Sequence, residues 1–497
     1  MTNPATRALS ARSEQQGFQG KNSRFTKFAG VAIVLCALTT MAAAQFKNLD
    51  SFAGTNGANP QYMTFVQGTD GDFYGTAETG GSGGQGVIFL IKANGTYTVL
   101  HNFCQLANCT DGAQPYSGMI QDTNGIYYGT TWAGGANNAG IVYSITQKGV
   151  LTVLYNFCSL ANCADGEKPA GGLVQGSNGV LYGTTSGGGK NGAGTIFEIN
   201  TAGKFKTVYN FCSLANCADG STPYATLIQA NNGTFYGTTT QGGANSQGTI
   251  FELWITGKFA SFYSFCSQAA CADGAVPYAG VIQALDGNLY GTTTSGGTQN
   301  AGAVYKITTT GTFNTIYSFC SVSCADGETP YAGVIQGTDG NLYGTTYAGG
   351  NGYGTIYNVS TSGAFNNLYT FCAQSGCPDG QQPTGGLIQG TDGVFFGTTS
   401  AGGKDGGFGT IFELSMGLQP FVALQTTSGK VGASVIILGS NLVNVSGVSF
   451  NGTPANFSVN RSTEIKSQVP AGATTGTVTV TMGTQTLKSN VPFIVLP

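Results

Sequence analysis

The chain has 497 residues, of which 80 are glycine and only 8% are charged, and its formal net charge is −3. That is far below the roughly 25% charged residues of an ordinary globular protein, while 30 Phe and 23 Tyr recurring along the chain are too many for a disordered one. The composition fits an extracellular all-β protein of short strands and turns. No basic cluster follows residue 44, which excludes the phosphate neutralisation that nucleic-acid binding needs.

Residues 1–44 read as an export signal. Arg7, Arg12, Lys21, Arg24 and Lys27 precede an apolar run over 28–41, and Ala42-Ala43-Ala44 offers a cleavage site before Gln45. The run is short for a membrane span, which takes about 20 residues. An uncleaved N-terminal anchor is the alternative. Leu35 stands before Cys36 where a lipoprotein signal needs a small residue. Cleavage leaves 14 basic and 21 acidic residues and a formal charge of −7. The expected location is the periplasm, outer surface or extracellular space, with no membrane span in the mature chain.

Residues 45–416 are repetitive. The tetrad Tyr-Gly-Thr-Thr, or a near variant, recurs with its glycine at Gly75, Gly129, Gly183, Gly237, Gly291, Gly344 and Gly397, a period of 53–54 residues. The copy around Gly291 predicts four strands: 279–283 (AGVIQ), 288–293 (NLYGTT), 303–307 (AVYKI) and 313–319 (FNTIYSF). Asp286-Gly287 predicts a two-residue type I′ hairpin turn between the first two. A glycine-rich loop over 295–302 separates the second strand from the third. The first element after the leader, 46–52 (FKNLDSF), matches the fourth strand 205–211 (FKTVYNF), and the last repeat stops after its third strand at 409–414 (GTIFEL). The predicted architecture is therefore all-β: a seven-bladed β-propeller over 45–416, four strands per blade, closed by the N-terminal strand. Pairing the chain ends removes free sheet edges. The long loops, both glycine-rich and cysteine-bearing, fall on one face, where ligand contacts concentrate on rigid scaffolds.

Beyond Cys36, twelve cysteines form six close pairs: Cys104 with Cys109, Cys158 with Cys163, Cys212 with Cys217, Cys266 with Cys271, Cys320 with Cys324 and Cys372 with Cys377. An even count in an exported chain reads as disulfides. Closing so short a ring stabilises by only about 2 kcal/mol in the chain-entropy model, so the bridges are expected to stiffen their loops rather than hold the fold together. Metal ligation is the alternative, but two sulfurs without a nearby histidine make an incomplete zinc set, so neither metal nor cofactor is expected.

The pattern changes after Ser415. Residues 418–497 predict a small β-sandwich from strand runs at 434–438, 447–450 and 476–481. GASVIILGSN at 432–441, VSFNG at 448–452, VPAG at 469–472 and TGTVTV at 475–480 fall in an order that resembles the IPT/TIG immunoglobulin-like domain. The repeats, with YGTT, the A-G-G loop and GTIFE at 194–198, 248–252 and 409–413, resemble the GloVer tandem-repeat family. That resemblance spans about 370 residues. It implies exported bacterial proteins with variable C-terminal anchors, and no particular activity. No sorting signal is visible near Pro497.

Nothing declares a chemistry. The glycines at 80–86 fit a nucleophile-elbow and a dinucleotide pattern, but lie in a loop without the strand-to-helix context either needs. His101, the only histidine, stands where sibling repeats carry Tyr155, Tyr209, Tyr263, Tyr317 and Tyr369. Asp111, Asp165, Asp219, Asp273, Asp326 and Asp379 precede glycine in the cysteine loops. They read either as turn residues or as oxygen ligands for calcium around a channel mouth. The tetrad tyrosines read as packing between repeats. Aromatics that break the repeat, Trp132, Tyr347, Tyr353 and Phe408, are the candidate ligand contacts. The expected function is a non-enzymatic, secreted or surface-bound binding protein for an extracellular glycan or protein. The alternatives are a polysaccharide-active enzyme, with Glu78 and Asp405 as candidate acids, and a purely structural envelope component.

Overall fold

The computed structural model describes residues 44–321 and 323–497, so all but the last residue of the expected export signal lies outside the described residues. The chain is all-β among them, with only four short 3₁₀ turns. The repeats form seven four-stranded antiparallel sheets, each an up-and-down meander in a propeller-like series.

The copy around Gly291 contains Ile282–Gln283, Leu289–Thr293, Ala303–Ile307 and Phe313–Ser318. The second and third strands pair from Leu289↔Ile307 to Thr293↔Ala303. Two expectations are corrected. The first strand is two residues, not five, because the segment before it lies against the neighbouring repeat: a Cβ on Gly280 would sit 2.6 Å from the carbonyl oxygen of Thr226. The Asp-Gly turn is not type I′, which needs positive φ at both central residues. Only Gly287 has it (+80°). The Ala284 N–H donates to the carbonyl of Asn288, and the Gly287 N–H to the carbonyl of Ala284 (3.0 and 2.9 Å), a three-residue loop ending in a left-handed glycine.

The N-terminal strand Gln45–Ser51 pairs antiparallel with Thr410–Ser415, from Gln45↔Ser415 to Ser51↔Thr410, and takes the outermost place in the last sheet. Phe46 stacks on Tyr369 at 3.8 Å, as Phe205 stacks on Tyr155 at 3.9 Å within the array.

The tetrad explains how repeats join. Its tyrosine, or the Phe that replaces it, packs on the next repeat: Tyr74 on Tyr127 (4.3 Å), Tyr343 on Phe395 (4.2 Å), and across the ends Phe396 on Phe73 (4.1 Å). A Cβ on its glycine would strike the third strand, as at Gly291, 2.4 Å from the Tyr305 hydroxyl. Its first threonine donates to a carbonyl of the next repeat in all seven copies: Thr76 to Ser117, Thr130 to Gly171, Thr184 to Ala225, Thr238 to Ala279, Thr292 to Ala332, Thr345 to Gly385, and Thr398 to Pro60, at 2.9–3.5 Å. The last of these links the seventh repeat to the first. Gln67 also accepts the Thr391 N–H across the same junction (3.1 Å), as Gln283 accepts the Asn231 N–H within the array (2.7 Å).

The C-terminal segment folds as two four-stranded sheets and one two-stranded pair. A shared apolar core that includes Val435, Ile437, Ile465, Val478 and Phe493 lies between them. This segment rests on the tight-turn end of the array. Thr463 Oγ1 donates to the Thr69 carbonyl (2.7 Å), the hydroxyls of Thr391 and Ser440 lie 2.7 Å apart, and Gln425 donates to Gln121 (2.9 Å). The described residues form one compact unit.

All six expected cysteine pairs are disulfides: Cys104 to Cys109, Cys158 to Cys163, Cys212 to Cys217, Cys266 to Cys271, Cys320 to Cys324 and Cys372 to Cys377. That overturns the metal alternative for those sulfurs, and it points to an oxidising extracellular environment. Within these loops Cys109, Cys163, Cys217 and Cys271 each end a 3₁₀ turn, as in Ala107–Cys109 and Ala269–Cys271. The second cysteines also tie in a neighbouring loop. The Cys109 carbonyl accepts the N–H groups of Gly112 and of Gly135 in the next glycine-rich loop, both at 2.9 Å. Cys163 holds Gly166 and Gly189, Cys271 holds Gly274 and Gly297, and Cys377 holds Gly380 and Gly403 in the same manner, at 2.8–3.0 Å. All four cysteines have positive φ (46–53°), the conformation that turns the carbonyl toward both donors. Spacing alone reveals the sulfur partners and not these backbone bonds.

Among the described residues no helix is long and apolar enough to cross a membrane.

Thr238→Val should destabilise the protein by about 1–3 kcal/mol in urea unfolding, because it removes the bond to the half-buried Ala279 carbonyl. Replacing Cys212 and Cys217 together by serine should cost only about 2 kcal/mol, the loop-closure value for so short a ring, and leave the circular dichroism spectrum unchanged.

Candidate functional site

The long-loop face is built around one residue per repeat, the residue before the proline of Asp-Gly-x-x-Pro or its Asn-Gly counterpart. Asn59, Gln114, Lys168, Thr222, Val276, Thr329 and Gln382 all have φ between +51° and +57°. Such a conformation costs on the order of 1–3 kcal/mol for a residue with a side chain, and it persists only where surroundings fix it. Here both backbone groups are held. The Gln114 N–H donates to the Gln85 carbonyl of the preceding repeat (2.7 Å), and the Gln114 carbonyl accepts the Trp132 N–H just past its own tetrad (2.9 Å). Asn59 makes the same link across the ends, donating to the Phe408 carbonyl at 2.9 Å.

This arrangement aims the residues after the proline at the middle of the face. Tyr116, Tyr224, Tyr278 and Tyr331 hold that position, and in the first repeat Tyr62 lies one place further on. Their rings converge. Tyr62 lies 4.6 Å from Tyr116, 5.0 Å from Tyr278 and 5.8 Å from Tyr331, and Tyr224 stacks on Tyr278 at 4.7 Å. The hydroxyls of Tyr116 and Tyr278 are 3.0 Å apart. Contact between the first, second, fifth and sixth repeats is possible only at the centre of the array. Burial raises the pKa of Tyr62, Tyr116, Tyr224 and Tyr278, so these phenols stay neutral at physiological pH.

Two expected contacts join this cluster. Trp132 lies 5.2 Å from Tyr116 and stacks at 6.0 Å on Tyr224, and Tyr347 meets Tyr331 edge-on at 5.4 Å. Both follow a tetrad directly, the position held in the first repeat by Glu78. Burial raises the Glu78 pKa, and Glu78 is close enough to Tyr62 to help raise that phenol's. Tyr353 and Phe408 lie apart from the cluster. They sit in the glycine-rich loops, 40% and 38% exposed, where the Phe408 ring covers Gly54. It is their carbonyls that are engaged, by the N–H groups of Gln382 and Asn59. Burial raises the Asp50 pKa, and the nearby Asp405 adds a smaller push in the same direction.

The sequence reading missed Tyr62, Tyr116, Tyr224, Tyr278 and Tyr331. Their signal is Pro-Tyr in four of seven repeats, broken by Gln61, Ala170 and Thr384. Around the cluster lie a cavity of about 270 Å³, lined by these rings and the glycine-rich inner segments, and one of about 310 Å³ beside Tyr331 and Tyr347. No disulfide cysteine lines either cavity; Cys109, Cys163, Cys271 and Cys377 act on the face only through the glycine-rich loops they hold.

The cysteine-loop acids do not ring a channel mouth; each turns into its own loop. Asp219 is fully buried and accepts the Tyr209 hydroxyl (2.7 Å) and the N–H groups of Ser213 and Leu214 (2.9 and 3.1 Å). Tyr155, Tyr263, Tyr317 and Tyr369 serve the sibling acids likewise. His101 takes the tyrosine's place in the first such loop, with Nε2 3.7 Å from Asp111, and burial lowers its pKa against the pull of that carboxylate.

These features define a disulfide-braced, all-β repeat scaffold with an aromatic cluster at its centre. The model of the Gloeobacter/Verrucomicrobia repeat matches residues 34–175, 158–325 and 272–460, and the chain belongs to that family. No curated protein matches it. Among solved structures it is similar to a fungal alcohol oxidase of the AA5 family in complex with copper (13% identity, 91% of this chain and 99% of that one, TM-score 0.48). It is also similar to a protein of unknown function from Bacteroides thetaiotaomicron (13% identity, 75% and 76%, TM-score 0.42) and to a luciferin-regenerating enzyme (10% identity, 76% and 98%, TM-score 0.38). Likenesses of this size carry no argument about activity.

Burial alone would raise the Asp273 pKa, but hydrogen bonds from Ser267, Tyr263 and Gln268 outweigh it and hold the group below its ordinary 3.8. A carboxyl depressed on folding adds stability that is complete above the ordinary value and is lost as pH falls through the folded one. Asp273→Asn should therefore lower Tm at pH 7 and flatten its fall below about pH 4, measured by thermal melts across pH.

Proposed function

We propose that this protein is an exported, non-enzymatic binding protein whose repeats close as a seven-bladed β-propeller, completed by the N-terminal strand. On this reading it binds an extracellular glycan or protein at the axial aromatic cluster, and residues 418–497 form an IPT/TIG-like immunoglobulin-type sandwich that serves as a spacer or second contact module. One observation carries the reading. Seven aromatic residues from five repeats converge at one point, yet the positions that supply them are not occupied alike in every repeat. A purely structural ring has no use for that inequality, whereas an asymmetric ligand does. Neutral tyrosines and a tryptophan offer flat apolar faces together with hydroxyl and indole N–H groups, the combination that suits sugar rings and peptide side chains.

A single observation favours an enzyme: Glu78, raised in pKa by burial, stands beside Tyr62. Its suggested partner Asp405 lies beside Asp50 on the outermost strand of the last sheet, so a glycosidase would need another second carboxylate.

A glycan array and a screen against extracellular protein extracts should give binding that Trp132→Ala with Tyr116→Ala weakens at least tenfold, with little change in Tm. Polysaccharide cleavage that Glu78→Gln abolishes would overturn the non-enzymatic reading. A wild-type protein that binds nothing in either screen would favour a structural envelope role.

A further inference from the structure

The cluster is broken at Ala170 and again at Thr384, where the seventh repeat meets the first. Four repeats place tyrosine after the proline, and the seventh places Thr384. The space beside it is the cavity of about 310 Å³, which Asn59, Gln61, Gln382, Tyr331, Tyr347 and Thr384 help to line. That volume is at the small end for ligand pockets, which run from about 300 to 1,000 Å³.

Thr384 is only 3% exposed, and its Oγ1 has no hydrogen-bond partner among the described residues. A buried hydroxyl left unpaired costs about 1–3 kcal/mol, and such groups are few in folded proteins. Its sibling at the other break in the cluster, Ala170, carries no polar group at all. Of the two breaks in the cluster that face a cavity, only the one at Thr384 presents an unpaired hydroxyl.

The lining carries carboxamides, hydroxyls and aromatic faces, and no lysine, arginine, histidine, aspartate or glutamate. Carboxamides both donate and accept, as sugar hydroxyls do, and tyrosine rings offer apolar faces to the C–H side of a pyranose. No cation is present to hold a carboxylate or sulfate. The nearby Glu78 carboxylate, which already acts on Tyr62, repels anions. The backbones of Gln382 and Asn59 are both fixed at positive φ, and the Asn59 amide is held in place by the bond it donates to Thr79 Oγ1 (3.0 Å).

We propose that this cavity is a subsite for the neutral end unit of an oligosaccharide, with Thr384 Oγ1 and the Gln61 and Gln382 carboxamides as polar contacts and Tyr331 and Tyr347 as its walls. The proposal rests on the reading of the axial cluster as a ligand site and names the ligand class it takes.

The test is titration calorimetry of the exported chain with neutral gluco-, manno-, galacto- and xylo-oligosaccharides and with oligouronates and sulfated oligosaccharides. At least one neutral series should bind and the anionic ones should not. Thr384→Val should weaken binding roughly five- to tenfold, the effect of one lost hydrogen bond. Thr384→Tyr, which restores the sibling residue and fills the cavity, should abolish it; Thr384→Val should raise Tm by removing the unpaired hydroxyl, so its weaker binding cannot come from unfolding. Preference for the anionic sugars, or neutral binding that Thr384→Tyr leaves intact, would overturn the subsite. In the second case loss of binding in Tyr116→Ala would leave the axial reading standing. Binding of a protein ligand but of no saccharide, lost in Trp132→Ala, would likewise overturn the subsite alone.

Discussion

The first threonine of each tetrad sets the terms for the whole array. It is buried, and its hydroxyl is satisfied by a carbonyl of the next repeat rather than of its own. A repeat standing alone would expose to water the face that the neighbour buries, and within the array loss of either partner would strand the other at about 1–3 kcal/mol. The repeats are therefore stable only in company, as in other arrays whose units cannot bury their faces alone. Thr398 finds its carbonyl at Pro60, so the last repeat hands its bond to the first and no hydroxyl of the series is left over. The N-terminal strand, seated on Thr410–Ser415, works in the same direction by covering an edge that would otherwise be open to pairing with another chain.

The scaffold's regularity in turn prepares the centre. The left-handed residue before each proline is strained, and its strain is maintained by bonds to the repeat before it and to its own tetrad strand. Disulfides and buried aspartates stiffen the loops leading into that residue. The result is a set of equivalent side-chain positions aimed at one spot. What each position carries is free to vary, because the backbone that aims it does not depend on it. Gln, Tyr, Ala and Thr occur after the proline, and Trp, Tyr, Glu, Ser and Thr occur after the tetrad. Differences between repeats thus become chemistry at the centre, while identities between them are absorbed by the scaffold.

Much of this was legible in the chain itself. The third strand at Ala303–Ile307 matches its prediction at both ends, because alternation and flanking glycines bound it. The pairing of the first strand with the last repeat followed from counting strands, and the disulfides from cysteine spacing. The tie from each second cysteine to a glycine-rich loop did not, since backbone carbonyls leave no mark in side-chain spacing. Trp132 and Tyr347 stood out because they break the repeat. Tyr353 and Phe408 also break it but lie outside the centre, since the glycine-rich loops carry them away from it. The central tyrosines do not stand out in the chain, because four of the five recur at one position, after the proline, and residues shared by most repeats read as scaffold.

The sequence by itself determined what is local and periodic: strand order, the 53–54-residue period, loop lengths and cysteine partners, all fixed by side-chain alternation and short-range turn chemistry. Tertiary structure alone decided what meets at the centre. Tyr62, Tyr116 and Tyr278 are separated by 54 and 162 residues, and no local rule relates them. They touch because inter-repeat threonine bonds wind the array about one middle, and only that winding turns the substitution at Thr384 into a cavity.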